Sequence, residues 1–152
     1  MIHSERTRDI DAPVDAVWQF LGRFMEIGDF HPTIVSVEPL TSGEPGEGAM
    51  RRCNFKDGSS VVEEVTEWEG GRRYRVRLSE YAMPLKRAFA EFSLEPMADG
   101  KTRARMAMDY DVKFGPVGWL MGQTMIKSMT GKLFDAVLGG LAGKAEANAE
   151  RP

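Results

Sequence analysis

The sequence predicts an α+β domain: a curved antiparallel sheet of about seven strands wrapped around a long C-terminal helix, with two short helices after the first strand. Three observations lead there. Ile10-Asp11-Ala12-Pro13-Val14-Asp15-Ala16-Val17-Trp18 closes a strand, opens a helix at a proline and aims a tryptophan at a core. Residues 102–112 alternate apolar and polar with period two. The chain then closes on a long helix with an apolar stripe. Strands in a run, bracketed by helices, separate this pattern from alternating α/β.

The elements follow in order. Residues 2–11 read as a strand with polar residues on both faces. Pro13 occupies a first helical position, where its missing N–H costs nothing. Val14, Val17, Trp18 and Leu21 fall at helical spacing and Gly22 ends that helix. A second short helix over 24–29 stops before Pro32. From Ile34 to Val112 the chain reads as antiparallel strands. Glu44-Pro45-Gly46-Glu47-Gly48, Lys56-Asp57-Gly58, Glu69-Gly70-Gly71 and Ala98-Asp99-Gly100 are the turn signals. Tyr74, Val76 and Leu78 share one face against Arg73, Arg75 and Arg77. Ala88, Ala90, Phe92 and Leu94 share another. Thr102, Ala104, Met106, Met108, Tyr110 and Val112 line the apolar face of the last strand. Pro116 opens a helix predicted to reach residue 147, roughly 45–50 Å long at 1.5 Å per residue. Val117, Met121, Met125, Met129, Leu133, Val137, Leu141 and Ala145 step by four and are expected to face the sheet, and Ile126, Phe134 and Leu138 widen that stripe.

At 152 residues the chain is one domain with enough length for a sizeable core. It is 42% hydrophobic and 28% charged, as a soluble globular protein is. A formal net charge of −3, with the basic residues spread along the strands, argues against nucleic-acid binding. No window is apolar and long enough to span a membrane. The start, Met1-Ile2-His3-Ser4-Glu5-Arg6, lacks the form of a secretory signal. Cys53 is the only cysteine, so no intramolecular disulfide forms, and a reducing cytoplasm is the expected location. Two histidines and one cysteine leave too few ligands for the usual zinc sites. No metal and no cofactor are expected.

The motifs Ile10-Asp11-Ala12-Pro13 with Val17-Trp18, Phe30-His31-Pro32, Gly46-Glu47-Gly48-Ala49-Met50-Arg51, Asp57-Gly58, Gly71-Arg72-Arg73-Tyr74 and Met83-Pro84-Leu85 follow in a fixed order. With the spacing from Pro84 to Pro96, that order resembles the START/Bet v 1-like helix-grip (SRPBCC) superfamily, and within it the polyketide cyclase/dehydrase-like group. The resemblance covers nearly the whole chain. Order and spacing carry it rather than any single motif. Phe30 stands where the group often has tryptophan, and Ala88 where it often has an aromatic. Both departures reshape a pocket. The resemblance implies a helix-grip fold with a cavity between the sheet and the final helix. Members bind lipids, quinones, hormones or polyketides, and some catalyse cyclisation or dehydration, so the fold does not fix one chemistry.

The residues expected to line that cavity follow from the strand faces. Tyr74, Leu78, Ala88, Phe92, Met106, Met108 and Tyr110 come from the sheet, and Met121, Met125 and Met129 from the helix. Ten methionines are many for this length, and methionine suits an adaptable apolar site. The plain alternative is that they fill a core. Glu63 shares a face with Val61 and Val65, and Arg51 with Cys53 and Phe55. Lys56-Asp57-Gly58 reads as a three-residue hairpin loop, which pairs Phe55 with Ser59 and therefore Arg51 with Glu63. The pair is either a structural ion pair or a polar anchor for a ligand's hydroxyl, carbonyl or carboxylate. Phe30 and His31 stand at the mouth of the cavity. His31 is either a base or a packed junction residue. Tyr74, Tyr81 and Tyr110 either donate hydroxyls inward or pack.

The expected function is binding of a small hydrophobic or amphipathic molecule. A second reading is a cyclase or dehydratase acting on a polyketide-like carbonyl compound, with Glu63, His31 or a tyrosine as acid or base. A third is a protein-interaction module like the chaperone activators of this fold. The oligomeric state stays open, a homodimer included.

Overall fold

The computed structural model describes residues 1–150. Its elements are β1 (Ile2–Ile10), α1 (Val14–Leu21), a 3₁₀ segment (Phe24–Asp29), β2 (Ile34–Pro39), β3 (Met50–Phe55), β4 (Ser60–Glu69), β5 (Arg73–Ser79), β6 (Leu85–Pro96), β7 (Thr102–Val112), α2 (Gly115–Met121), a π turn (Gly122–Ile126) and α3 (Lys127–Ala149). The last three run on without a break. The seven strands form one antiparallel sheet in the order β1-β7-β6-β5-β4-β3-β2, curved and open. This is the helix-grip-like α+β architecture expected from the sequence.

Pro13 caps α1 rather than opening it; its carbonyl accepts the N–H groups of Ala16 and Val17 at 3.0 and 3.2 Å. The segment at 24–29 is a kinked 3₁₀ turn, not an α-helix. Period-two alternation holds across the sheet. The outer face carries a charge ladder in which Glu5, Arg105, Glu91, Arg73, Glu67, Arg75 and Asp109 pair in series across five strands. Asp109 and Asp111 are both ion-paired, Asp111 with Arg87 at 2.6 Å. Arg105 and His3 hold Glu5 down at about 2.

The inner face is covered in two parts. The C-terminal helix lies on β1 and β7 and against α1. The aromatic group Trp18, Phe24, Trp68 and Tyr74 covers the middle strands, with Trp68 stacked on Tyr74 at 5.4 Å and 17°. The helix therefore crosses one side of the sheet rather than its whole breadth.

The first half of that helix is turned relative to the expected stripe. Gly118, Gly122, Ile126, Thr130 and Phe134 are buried, each one residue beyond the step-of-four row; of these the expected stripe included only Ile126 and Phe134, on its flank. Met125 and Met129 point to solvent, Val117 is 77% exposed, and Met121 is half-buried. A strict four-residue step drifts about 40° per step around an α-helix. The wider π turn takes up that drift, so both step-of-four rows keep their sides throughout the first half. The row on the sheet is the one with small residues. A Cβ at Gly122 would come within 2.6 Å of Ile2 Cδ1 and 2.9 Å of Val112 Cγ1. One at Gly118 would overlap the carbonyl oxygen of Lys113. Close approach of helix to sheet thus outranks the apolarity of the methionine row. From Leu133 onward Val137, Leu141 and Ala145 are buried as the spacing predicts.

Candidate functional site

The β3–β4 hairpin sets the centre of the site. In its Lys56-Asp57-Gly58 loop, Gly58 takes φ +88°, a left-handed value that only glycine adopts freely. Asp57 Oδ1 accepts the Ser59 N–H at 2.9 Å and its hydroxyl at 2.6 Å, which closes the turn. Phe55 N–H then reaches the Ser59 carbonyl at 2.9 Å, Cys53 pairs with Val61, and Arg51 with Glu63. A one-residue slip would have put Glu64 inside instead.

Arg51 is 1% exposed. Its Nε and a terminal nitrogen donate to Glu63 Oε1 at 2.7 and 2.6 Å. Its other terminal nitrogen donates to the Phe24 carbonyl, and the guanidinium stands 3.8 Å from the centre of the Phe24 ring. Burial alone would lower the Arg51 pKa, but the Glu63 charge overrides it and raises it. The Cys53 thiol also donates to Glu63 Oε1, at 3.7 Å. Every bond Glu63 accepts falls on Oε1, and among the described residues none reaches Oε2. The Glu63 side chain keeps 13% exposure. The arrangement is a buried cation fixing a carboxylate whose second oxygen takes no bond among the described residues.

His31 stands beside this pair, its ring 6.1 Å from that of Phe55. Its Nδ1 accepts the Thr33 N–H at 3.3 Å, which assigns the ring proton to Nε2. Burial pushes its pKa down to about 4 against the pull of Glu63, so the imidazole is neutral near pH 7. Burial pushes the Cys53 thiol up to about 12 and the Tyr74 phenol up to about 12. Tyr74 is buried, and its hydroxyl finds no hydrogen-bond partner among the described residues.

The inner-facing side chains around the pair are not all closed off. Phe55, Leu78 and Ala90 are half-buried, as are Tyr81 and Met83 at the adjoining loop. Leu78 is the cross-strand neighbour of Glu63, and Ala88 of Leu78. These half-buried residues leave an apolar patch on the β3–β6 side of the inner face. Phe30, Ala88, Phe92, Met106, Met108 and Tyr110 are buried in the core behind it. Phe30 packs edge-on against Phe92 at 6.4 Å. The sequence placed Met125 and Met129 in the lining; their outward position removes them. Of the two roles open to Tyr110, the structure shows packing: its hydroxyl donates to the Gly122 carbonyl at 2.7 Å and pins the π turn. The Tyr81 hydroxyl is likewise spent, on the Leu85 carbonyl at 3.1 Å. Two open hollows of about 370 and 360 Å³ lie elsewhere, one beside Lys86 and Trp119, the other beside Pro13 and Arg72. Neither is the void expected under the helix.

Sequence reasoning missed Phe24 and Trp68. The Phe24 carbonyl is a backbone group 27 positions from Arg51, and no side-chain pattern signals it. Trp68 faces inward because a register shift between Val65 and Glu67 changes the parity of β4, which alternation alone cannot show. Among the described residues no group of three or more His, Cys, Asp or Glu side chains is placed to hold a metal. No helix there is long and apolar enough to cross a membrane.

The family model described as polyketide cyclase / dehydrase and lipid transport matches residues 1–146. No curated protein matches the chain. Among solved structures, the Zhui aromatase/cyclase of a Streptomyces species is 19% identical, with a TM-score of 0.81 over 97% of this chain and 94% of that one. A protein of Nitrosospira multiformis gives 0.80 at 17% identity, over 99% of this chain and all of the other. One from Thermobifida fusca gives 0.77 at 22% identity, over 99% and 97%. At such identities these likenesses speak to the fold.

Proposed function

Because this chain belongs to the polyketide cyclase / dehydrase and lipid transport family, we propose that it binds a small amphipathic molecule against the inner face of its sheet, with Glu63 as the polar anchor. The observation that supports this reading most is that Glu63, held in place by a buried arginine, has no bond to its Oε2 among the described residues, with Leu78 as its cross-strand neighbour and half-buried Phe55 and Ala90 on the same face. A carboxylate paired with arginine accepts hydrogen bonds and does not donate them. The ligand it fits therefore carries a hydroxyl or phenol on an apolar body, not a bare carbonyl.

The Zhui aromatase/cyclase has the same fold, so cyclisation or dehydration is the second reading. The chemistry of the site favours binding over it. Glu63 is committed to Arg51, and His31, with its pKa near 4, is a weak base near neutrality.

Nile red titration tests the reading. The wild-type protein is expected to bind the dye with a rise in emission and to release it to a long-chain alcohol. Ala90→Phe, which covers the apolar patch, should abolish binding, whereas Met125→Glu on the far side of the helix should leave it intact. Dye binding lost with Met125→Glu and kept with Ala90→Phe would overturn the proposal.

A further inference from the structure

The outward row of the C-terminal helix has no role in the site just described. Phe114, Val117, Trp119, Leu120, Met125 and Met129 are each more than half exposed. The stretch that carries them is basic: residues 113–134 contain Lys113, Lys127 and Lys132 and no aspartate or glutamate, and the flanking Asp111 and Asp135 are each paired with an arginine, Arg87 and Arg6, in a chain whose net charge is −3. All three lysines are exposed. Phe114 holds φ +72°, a left-handed conformation costly for a bulky side chain, and its ring is 70% exposed.

We propose that this helix face docks the protein onto an anionic lipid bilayer, its apolar side chains entering the interface and its lysines meeting the headgroups. Three features choose the bilayer over other occupants. The side chains project from the helix, and the open hollow that Trp119 borders is shared with the charged Lys86 and Asp111, which does not suit an apolar peptide. A second copy packed on this face about a two-fold axis would bring like-charged lysine sets together, with no acid in the segment to offset them. A basic apolar helix with tryptophan and phenylalanine at one end is the composition that lies in a membrane interface. The acids that give the chain its net charge are concentrated elsewhere, many of them paired on the outer sheet face. The proposal stands apart from the ligand reading, because the residues do not overlap.

Flotation with vesicles of phosphatidylcholine, and of phosphatidylcholine mixed with phosphatidylglycerol, tests it. The protein should float with the mixed vesicles, not with the neutral ones, and salt should release it. Trp119 is the most exposed tryptophan environment on this face, so the emission should shift to the blue on binding and the shift should vanish in Trp119→Phe. Each Lys127→Gln or Lys132→Gln change should weaken partition roughly fivefold. Leu120→Asp should weaken it at least about tenfold. These positions are exposed, and unchanged thermal melts confirm folding. No flotation with anionic vesicles, or flotation untouched by Leu120→Asp, overturns the proposal. So does a dimer in sedimentation velocity that Leu120→Asp dissolves, which would assign the face to a second copy.

Discussion

Replacing Glu63 with leucine leaves Arg51 charged and 1% exposed, with two of its donors unmet. Its bond to the Phe24 carbonyl and its place over the Phe24 ring survive. Removing one partner of a buried ion pair costs about 3–5 kcal/mol. That is a large share of the roughly 5–15 kcal/mol that holds a domain folded. Arg51→Met should cost less, about 2–3 kcal/mol, because the Glu63 side chain is 13% exposed and water can reach its carboxylate. The methionine still covers Phe24. The double variant Arg51→Met/Glu63→Leu strands no charge and should lie within about 2 kcal/mol of wild type. Urea unfolding of the four proteins closes a double-mutant cycle, with an expected coupling of about 3 kcal/mol or more. If Glu63→Leu does not fold, Glu63→Gln takes its place with a smaller expected loss. Additive effects, with a coupling below about 0.5 kcal/mol, would refute the view that each charge is held in the core by the other.

His31 gives a pH signature. Its pKa falls from 6.5 to about 4 on folding, so between those values the unfolded chain binds the extra proton. Stability from His31 is intact above pH 6.5 and is lost as pH drops through the window; His31→Asn should flatten that loss, roughly 3 kcal/mol, in urea melts at several pH values. His3 is raised by its hydrogen bond to Asp109 and acts with the opposite sign, above pH 6.5. Cys53, buried and pushed to about 12, should resist a thiol reagent in the native protein and react on unfolding. Rapid native labelling would contradict its place in the core. Gly118→Ala gains about 1 kcal/mol of helix propensity but should still destabilise by roughly 1–3 kcal/mol, since its Cβ meets backbone rather than a movable side chain. A higher melting temperature would show that the helix start shifts freely.

The parts legible in the sequence were those governed by local rules. Lys56-Asp57-Gly58 specifies a loop, the loop specifies a register, and the register pairs Arg51 with Glu63. The faces of β5, β6 and β7 follow from alternation because one side is buried. The helix phase was legible only from Leu133 on. Before that, apolarity pointed to Val117, Met121, Met125 and Met129 with Ile126 on the flank, whereas the sheet took Gly118, Gly122 and Ile126. A stripe of small residues buries little, so hydrophobic periodicity does not register it. Trp68 was hidden by a bulge, and the Phe24 carbonyl by distance along the chain. Both depend on tertiary placement rather than on any neighbouring residue.

The pairing of β1 with β7 joins Ile2 to Tyr110 and Ile10 to Thr102, the first segment of the chain to one near its end. During synthesis at about 5–20 residues per second, the opening strand waits several seconds before a partner exists. It must spend that time without finding a wrong one. Its run His3-Ser4-Glu5-Arg6-Thr7-Arg8-Asp9 is polar on both faces, which makes a poor strand by pattern but a soluble one while unpaired. The polarity that made β1 the least persuasive strand in the sequence thus suits an element that is made first and placed among the last.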